Sequence, residues 1–97
     1  DVNPYLTLAA ILGAALVGIE DGATPPAPVK GNAYALDLPQ VPADWPTAVA
    51  AFENSTVMPR IFHDELIRNL VQTKKQEIHY MDELTPNERV EIYLDTV

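Results

Sequence analysis

His63, Asp64 and Glu65 stand side by side, and His79 follows further along the same predicted helix. These are the side-chain types that hold divalent metals, but a metal needs them to converge. Consecutive helical residues point about 100° apart, and His79 lies about 160° round the helix from His63. The spacing therefore predicts no shared site. It predicts a helix start, where acids meet the positive end of the backbone dipole. With no cysteine in the chain, thiolate nucleophiles, disulfides and thiolate metal sites are excluded. No serine comes with a recognisable base, and no glycine-rich phosphate loop is present. Lys74-Lys75 reads as a solvated face. Acidic residues number 14, yet no spacing singles out a pair for acid–base work. The residues by themselves specify no catalytic, cofactor-binding or metal-binding set.

The formal net charge is −8. Nucleic-acid binding calls for a basic patch and anionic membrane surfaces attract basic segments, so neither is an expected partner. At 97 residues the chain is one domain at most. A chain near that length buries only about two-thirds of its surface, too little to surround an apolar helix and also cover several amphipathic ones. The chain does not begin with Met. The expectation is a fragment or processed product, part of something larger, and the lack of cysteine fits a cytoplasmic origin.

The elements are organised around the first helix, from Pro4 to about Asp21. Asn3 is placed to cap it, Pro4 to be its first residue, and Gly22 to end it in the left-handed conformation. From Tyr5 to Ile19 the one polar side chain is Thr7. Its larger apolar residues, Leu6, Leu8, Ile11, Leu12, Leu16, Val17 and Ile19, spread over roughly 240° of the helix. Thr7, Ala10, Ala14 and Gly18 form a stripe of small residues where another backbone could approach. The run is short for a membrane span and lacks the basic start of a secretory signal. It reads as a buried core helix, in which Leu12→Asp would be costly.

From Ala23 to Pro46 the prolines Pro25, Pro26, Pro28, Pro39, Pro42 and Pro46 forbid a long helix. Lys30-Gly31-Asn32 signals a turn, while Val29, Tyr34, Leu36, Leu38 and Val41 predict an ordered loop lying on a surface. Asp44 caps a short helix to about Glu53, with Trp45, Val49 and Phe52 on one face. Residues 56–61 hold a single turn at most. A long helix then runs from about His63 or Asp64 to Met81 or Asp82. Its stripe is Ile67, Leu70, Val71, Ile78 and Met81, interrupted by Lys74, and Asp64 and Arg68 form an i, i+4 pair. Thr85-Pro86-Asn87-Glu88 opens the last helix with a capping box, and Val90, Tyr93, Leu94 and Val97 form its apolar stripe.

The order of these segments resembles a known family. Asn-Pro-Tyr-Leu opening an alanine-rich helix that ends in Gly-Ile-Glu-Asp-Gly is similar to glutamine synthetase just after its catalytic strands. So are the proline-rich loop with Gly31 to Tyr34 and Leu38-Pro39, the helix from Trp45 to Phe52, and Glu65-Leu66 with Lys74-Lys75-Gln76-Glu77. The resemblance covers residues 1 to about 80 and implies a mainly α fold. This is the C-terminal helical portion of the α+β catalytic domain, with four to five helices and a long proline-rich loop. The family makes γ-glutamyl amides from glutamate, an amine and ATP, with divalent metals, Mg or Mn. Its metal-binding glutamates and its nucleotide- and substrate-binding arginines would lie before Asp1, so none transfers to this chain. The expected partners are the rest of its own catalytic domain and further copies in a homo-oligomer. In some bacterial members a tyrosine of this loop is adenylylated, and Tyr34 falls at the comparable place. Ala35 follows it where an acidic residue would be expected, so a packed loop tyrosine is the preferred reading. The helix from Trp45 to Phe52 looks closer to the γ-glutamylpolyamine ligase branch, which leaves the amine acceptor open. The rival to an inactive ligase fragment is a free-standing helical module that binds a protein partner through acidic and apolar faces.

Overall fold

The computed structural model describes residues 3–96, with side chains through Leu94. Four α-helices and two single turns of 3₁₀ helix follow one another, α1 (Pro4–Glu20), a turn at Ala33–Ala35, α2 (Trp45–Glu53), a turn at Met58–Arg60, α3 (Asp64–Asp82) and α4 (Pro86–Thr96). The mainly α reading holds, with no strand among the described residues.

Local chemistry sets the helix ends. Asn3 Oδ1 accepts from the Tyr5 and Leu6 amides at 3.1 Å each. At the other end Gly22 has φ +62°, its N–H donates to Ile19 O, and the Ala23 N–H donates to Gly18 O at 2.9 Å. That pair of bonds closes the helix as a Schellman motif. Asp44 caps α2 by accepting from the Thr47 amide at 2.8 Å and its hydroxyl at 2.9 Å. The Thr85–Glu88 capping box forms too, with Glu88 Oε2 accepting from the Thr85 amide at 2.8 Å and its hydroxyl at 2.6 Å.

The core is small and lies between α2 and α3, the most extensive helix–helix interface. Val49, Val71 and Met81 are buried there, and Val17 is buried on α1. The Phe52 and Phe62 rings meet at 6.5 Å, tilted by 49°, a favourable aromatic arrangement. Lys75 Nζ donates to both oxygens of Glu53 at 2.7 Å. Lys74 is half-buried over Trp45. Lys75 is exposed as a solvated face implies, whereas Lys74 is not, being half-buried with a ring and a carboxylate as partners. The Asp64–Arg68 pair is not among the ion pairs formed.

α1 departs most from its expected surroundings. Within this chain it is not a buried helix. Leu8, Ile11, Leu12, Leu16 and Ile19 are between 56% and 77% exposed. The side in contact is Leu6, Ala10, Gly13 and Val17, and it rests on the turn at Met58–Arg60. The tightest approach occurs at Gly13, outside the predicted small-residue stripe, of which Ala10 and Gly18 are half-buried while Thr7 and Ala14 are exposed. A Cβ built on Gly13 would overlap the Ile61 side chain, whose own Cβ is 3.2 Å away. Beside this contact Arg60 clamps the end of α1, donating to Asp21 at 2.7 and 2.9 Å and to Glu20 at 3.3 Å.

The proline-rich stretch also differs from expectation. Residues 24–42 are exposed throughout, with Val41 at 87%, so this loop does not lie on the surface of this chain. Val97, counted in the last apolar stripe, lies outside the described residues, and Val90 and Leu94 of that stripe are exposed. The result is an open shape of 45 × 36 × 22 Å with a radius of gyration of 16.8 Å, against about 13 Å for a compact chain of this length.

Two measurements test the α1 seat. Gly13→Ala gains helix propensity of up to about 1 kcal/mol but must push Ile61 aside, and we expect a net loss of stability in urea unfolding. In an Ile61→Ala background the same change becomes stabilising. An equal gain in both backgrounds would refute the close approach. The Arg60 hydrogen bonds hold the Asp21 carboxyl below the usual aspartate range, partly opposed by burial. The clamp therefore contributes above that range and is lost as the pH falls through the lowered pKa. The melting-temperature gap between the chain and Arg60→Met should close on acidification, and a constant gap would refute the clamp.

Candidate functional site

Among the described residues an open groove of about 690 Å³ lies between the start of α2, the second half of α3 and α4. Trp45, Val90 and Leu94 give it apolar walls, with Lys74, Glu77, Arg89 and Tyr93 as its polar side chains. Helical spacing places Lys74 and Glu77 one turn apart on α3, and the Thr85 cap sets the start of α4, which carries Tyr93. Lys74 Nζ lies 5.5 Å from the Trp45 ring centroid, within reach of a cation–π interaction. It also donates to Glu77 Oε2 at 2.7 Å. The Tyr93 hydroxyl donates to Glu77 Oε1 at 2.9 Å.

These contacts decide what the groove can do chemically. The Lys74 hydrogen bond, with a smaller one from Tyr93, holds the Glu77 carboxyl below the usual glutamate range against the opposing effect of burial. Burial first, and then its hydrogen bond to Glu77, push the Tyr93 hydroxyl up. Glu77 is thus an ionised acceptor with both oxygens engaged, and Tyr93 keeps its proton. Neither is poised as a base or nucleophile. The network joins helices.

Tyr34 sits on the turn at Ala33–Ala35, where the Asn32 side chain accepts from its backbone N–H at 3.1 Å. Its side chain is 99% exposed, which overturns the packed-tyrosine reading for this chain. The aromatic ring meets nothing that could hold it, because the whole loop stands clear. His63 Nδ1 accepts from the Glu65 amide at 3.3 Å, so this histidine starts α3 as its neighbours implied. His79 Nε2 faces Glu83 at 3.8 Å. Among the described residues no three His, Asp or Glu side chains are grouped to hold a metal ion, and no helix is long and apolar enough to cross a membrane. The Glu77–Tyr93 contact escaped sequence reading. Its partners lie on different helices, and the one local signal was the i, i+3 spacing of Lys74 and Glu77.

Comparison with known proteins connects these elements to a family. The model of the glutamine synthetase catalytic domain matches residues 1–93. A γ-glutamylethanolamide synthetase from Streptomyces coelicolor is 38% identical over 82 residues, which are 84% of this chain and 18% of that protein. A glutamate–isopropylamine ligase from a Pseudomonas species is 34% identical over 100 residues, covering 100% of this chain and 22% of the relative. A glutamine synthetase from Aquifex aeolicus is 31% identical over 102 residues, covering 96% of this chain and 22% of the relative. The chain thus spans about a fifth of the length of the curated relatives it matches. No solved structure matches it. With a family match running almost from end to end and three ligase relatives above 30% identity, the chain belongs to the glutamine synthetase catalytic-domain family.

Proposed function

We propose that this chain is the helical portion of a cytoplasmic, ATP-dependent ligase that joins the γ-carboxyl group of glutamate to ammonia or an amine. The observation that carries the reading is the family match over residues 1–93. In this reading ATP and Mg or Mn are held by parts of the catalytic domain outside these 97 residues. On this reading the 97-residue chain alone is inactive. The apolar side of α1 supports the same view. Leu8, Ile11, Leu12, Leu16 and Ile19 present a contiguous apolar surface of the kind that proteins cover, and the rest of the catalytic domain is its partner. The enzyme assembles as a homo-oligomer.

An amine, not ammonia, is the favoured acceptor. Relatives named for ethanolamide and isopropylamine products match at 38% and 34%, above the 31% of the Aquifex glutamine synthetase. The γ-glutamylpolyamine branch belongs to the same acceptor class.

Phosphate release from ATP, with glutamate and either ammonia, ethanolamine, isopropylamine or putrescine, tests both parts. The full-length protein should release phosphate and form the amide with an amine, and the 97-residue chain should do neither. Amide formation by the chain alone would overturn its assignment as an inactive portion. Failure of the full-length protein with every acceptor would overturn the ligase. The α1 surface has a separate test. In this chain Leu12 is 69% exposed, so the cost expected for Leu12→Asp does not arise here and the melting temperature should hold. In the full-length protein the same change should cost several kcal/mol, as an unpaired buried charge does. Equal tolerance in both would show that nothing covers α1.

A further inference from the structure

α4 is attached differently from the other helices. α2 and α3 pack along an extended interface and α1 seats on the turn at Met58–Arg60, whereas among the described residues α4, with Arg89, Ile92 and Tyr93 half-buried, has no interface of comparable extent. Val90 and Leu94 are 57% and 74% exposed and border the groove beside Trp45. The helix is joined to α3 through Glu83 and Leu84, an exposed and a half-buried residue. Its own start is firmly built: the Thr85–Glu88 box closes it, and Arg89 Nε donates to Leu84 O at 3.2 Å. Near its other end Tyr93 reaches Glu77. Arg89 and Asp82 approach at 3.9 Å, too far for a hydrogen bond.

Glu77 therefore occupies a junction. One oxygen takes the Tyr93 hydroxyl from α4. The other takes Lys74, which lies over the Trp45 ring of α2. Behind this network, Tyr93 borders a smaller cavity shared with Trp45, Ile78 and Met81, so departure of α4 would open the end of the α2–α3 core without unpacking its middle at Val49 and Val71.

We propose that α4 is a latched flap: it leaves the α2–α3 pair as a unit, pivoting at Glu83 and Leu84, and the Tyr93 hydroxyl on Glu77 is its latch. Detachment opens the groove that Trp45 and Lys74 line and frees the Glu77 oxygen that Tyr93 had occupied. A helix of 11 residues is marginal in water on its own, so the freed α4 unwinds. Its amides then exchange with solvent at a rate that reads the population of the open state. This inference stands on the contacts of α4 within this chain and rests on α4 being as uncovered in the full-length protein as it is here.

Amide hydrogen exchange followed by mass spectrometry on the full-length protein tests it, with peptides covering residues 89–94 and 67–78 read separately. In the unmodified protein the α4 amides should exchange through an opening that leaves those of α3 protected. A single opening shared by both segments would overturn the flap. Tyr93→Phe keeps the ring and removes the hydroxyl, and it should speed exchange over residues 89–94 by about ten- to a hundredfold, the worth of a hydrogen bond to a charged acceptor. Exchange over residues 67–78 should stay unchanged. Glu77→Gln keeps an acceptor in place and should give a smaller rise. An unchanged α4 in Tyr93→Phe would overturn the latch, and an equal rise in both segments would show general loosening in its place.

Discussion

Everything in this fold depends on how one apolar helix is used from one side. α1 has seventeen residues with almost no polar side chain, yet among the described residues its apolar contact runs chiefly along Leu6, Ala10, Gly13 and Val17. Those positions recur at i, i+4, i+7 and i+11, a narrow stripe. At its centre the missing side chain of Gly13 lets Ile61 in. The hydrophobic effect, at about 25 cal/mol per Å², acts weakly across so small a seat. The Arg60 fork on Asp21 and Glu20 supplies direction more than strength, since its partners are half-exposed and surface ion pairs contribute little. Fully apolar helices normally sit in surroundings that cover them all round, and here Leu8, Ile11, Leu12, Leu16 and Ile19 are left uncovered by the described residues.

That asymmetry explains which features were legible in the sequence. Helix ends are local: Asn3, Asp44, Thr85 and Gly22 each act within a few residues, and each made the contact its type and position implied. The amphipathic stripes of α2 and α3 were equally legible, because Val49 on one and Val71 on the other lose their exposure together where those two helices pair. The side of α1 in use was not legible. A helix apolar over some 240° gives periodicity nothing to choose with, and Gly13 falls outside the stripe that small residues drew attention to. The loop failed for a related reason. Val29, Leu36, Leu38 and Val41 implied cover, and sequence cannot say whether that cover lies within the same chain.

The candidate site shows the same boundary. His63, Asp64 and Glu65 were read correctly as a helix start, because adjacent residues on a helix diverge whatever surrounds them. The Glu77 junction was missed because it joins α3 to α4 by a contact between residues far apart in the chain, and nothing local marks it. Lys74 interrupts the apolar stripe of α3, and its charge points to solvent. Its long aliphatic stem crosses the apolar stripe while its ammonium finds a ring and a carboxylate, the usual way an amphipathic side chain reconciles the two.

The contacts of α1 bear on geometry as much as on stability. On α1 the seated stripe and the bare side, Leu8, Ile11, Leu12, Leu16 and Ile19, lie roughly 155° apart by helical rotation. A domain resting on the bare side would therefore be held across the helix from the turn at Met58–Arg60, and that turn leads directly into α3. Ile61 in the Gly13 notch sets the separation, and the Arg60 fork sets the rotation. Between them they leave α1 little freedom to roll. The position of α2 and α3, and of the groove that α4 borders, then follows from whatever the bare side of α1 is pressed against. Small contacts suffice for this, because they need only resist rotation once the larger surface is covered.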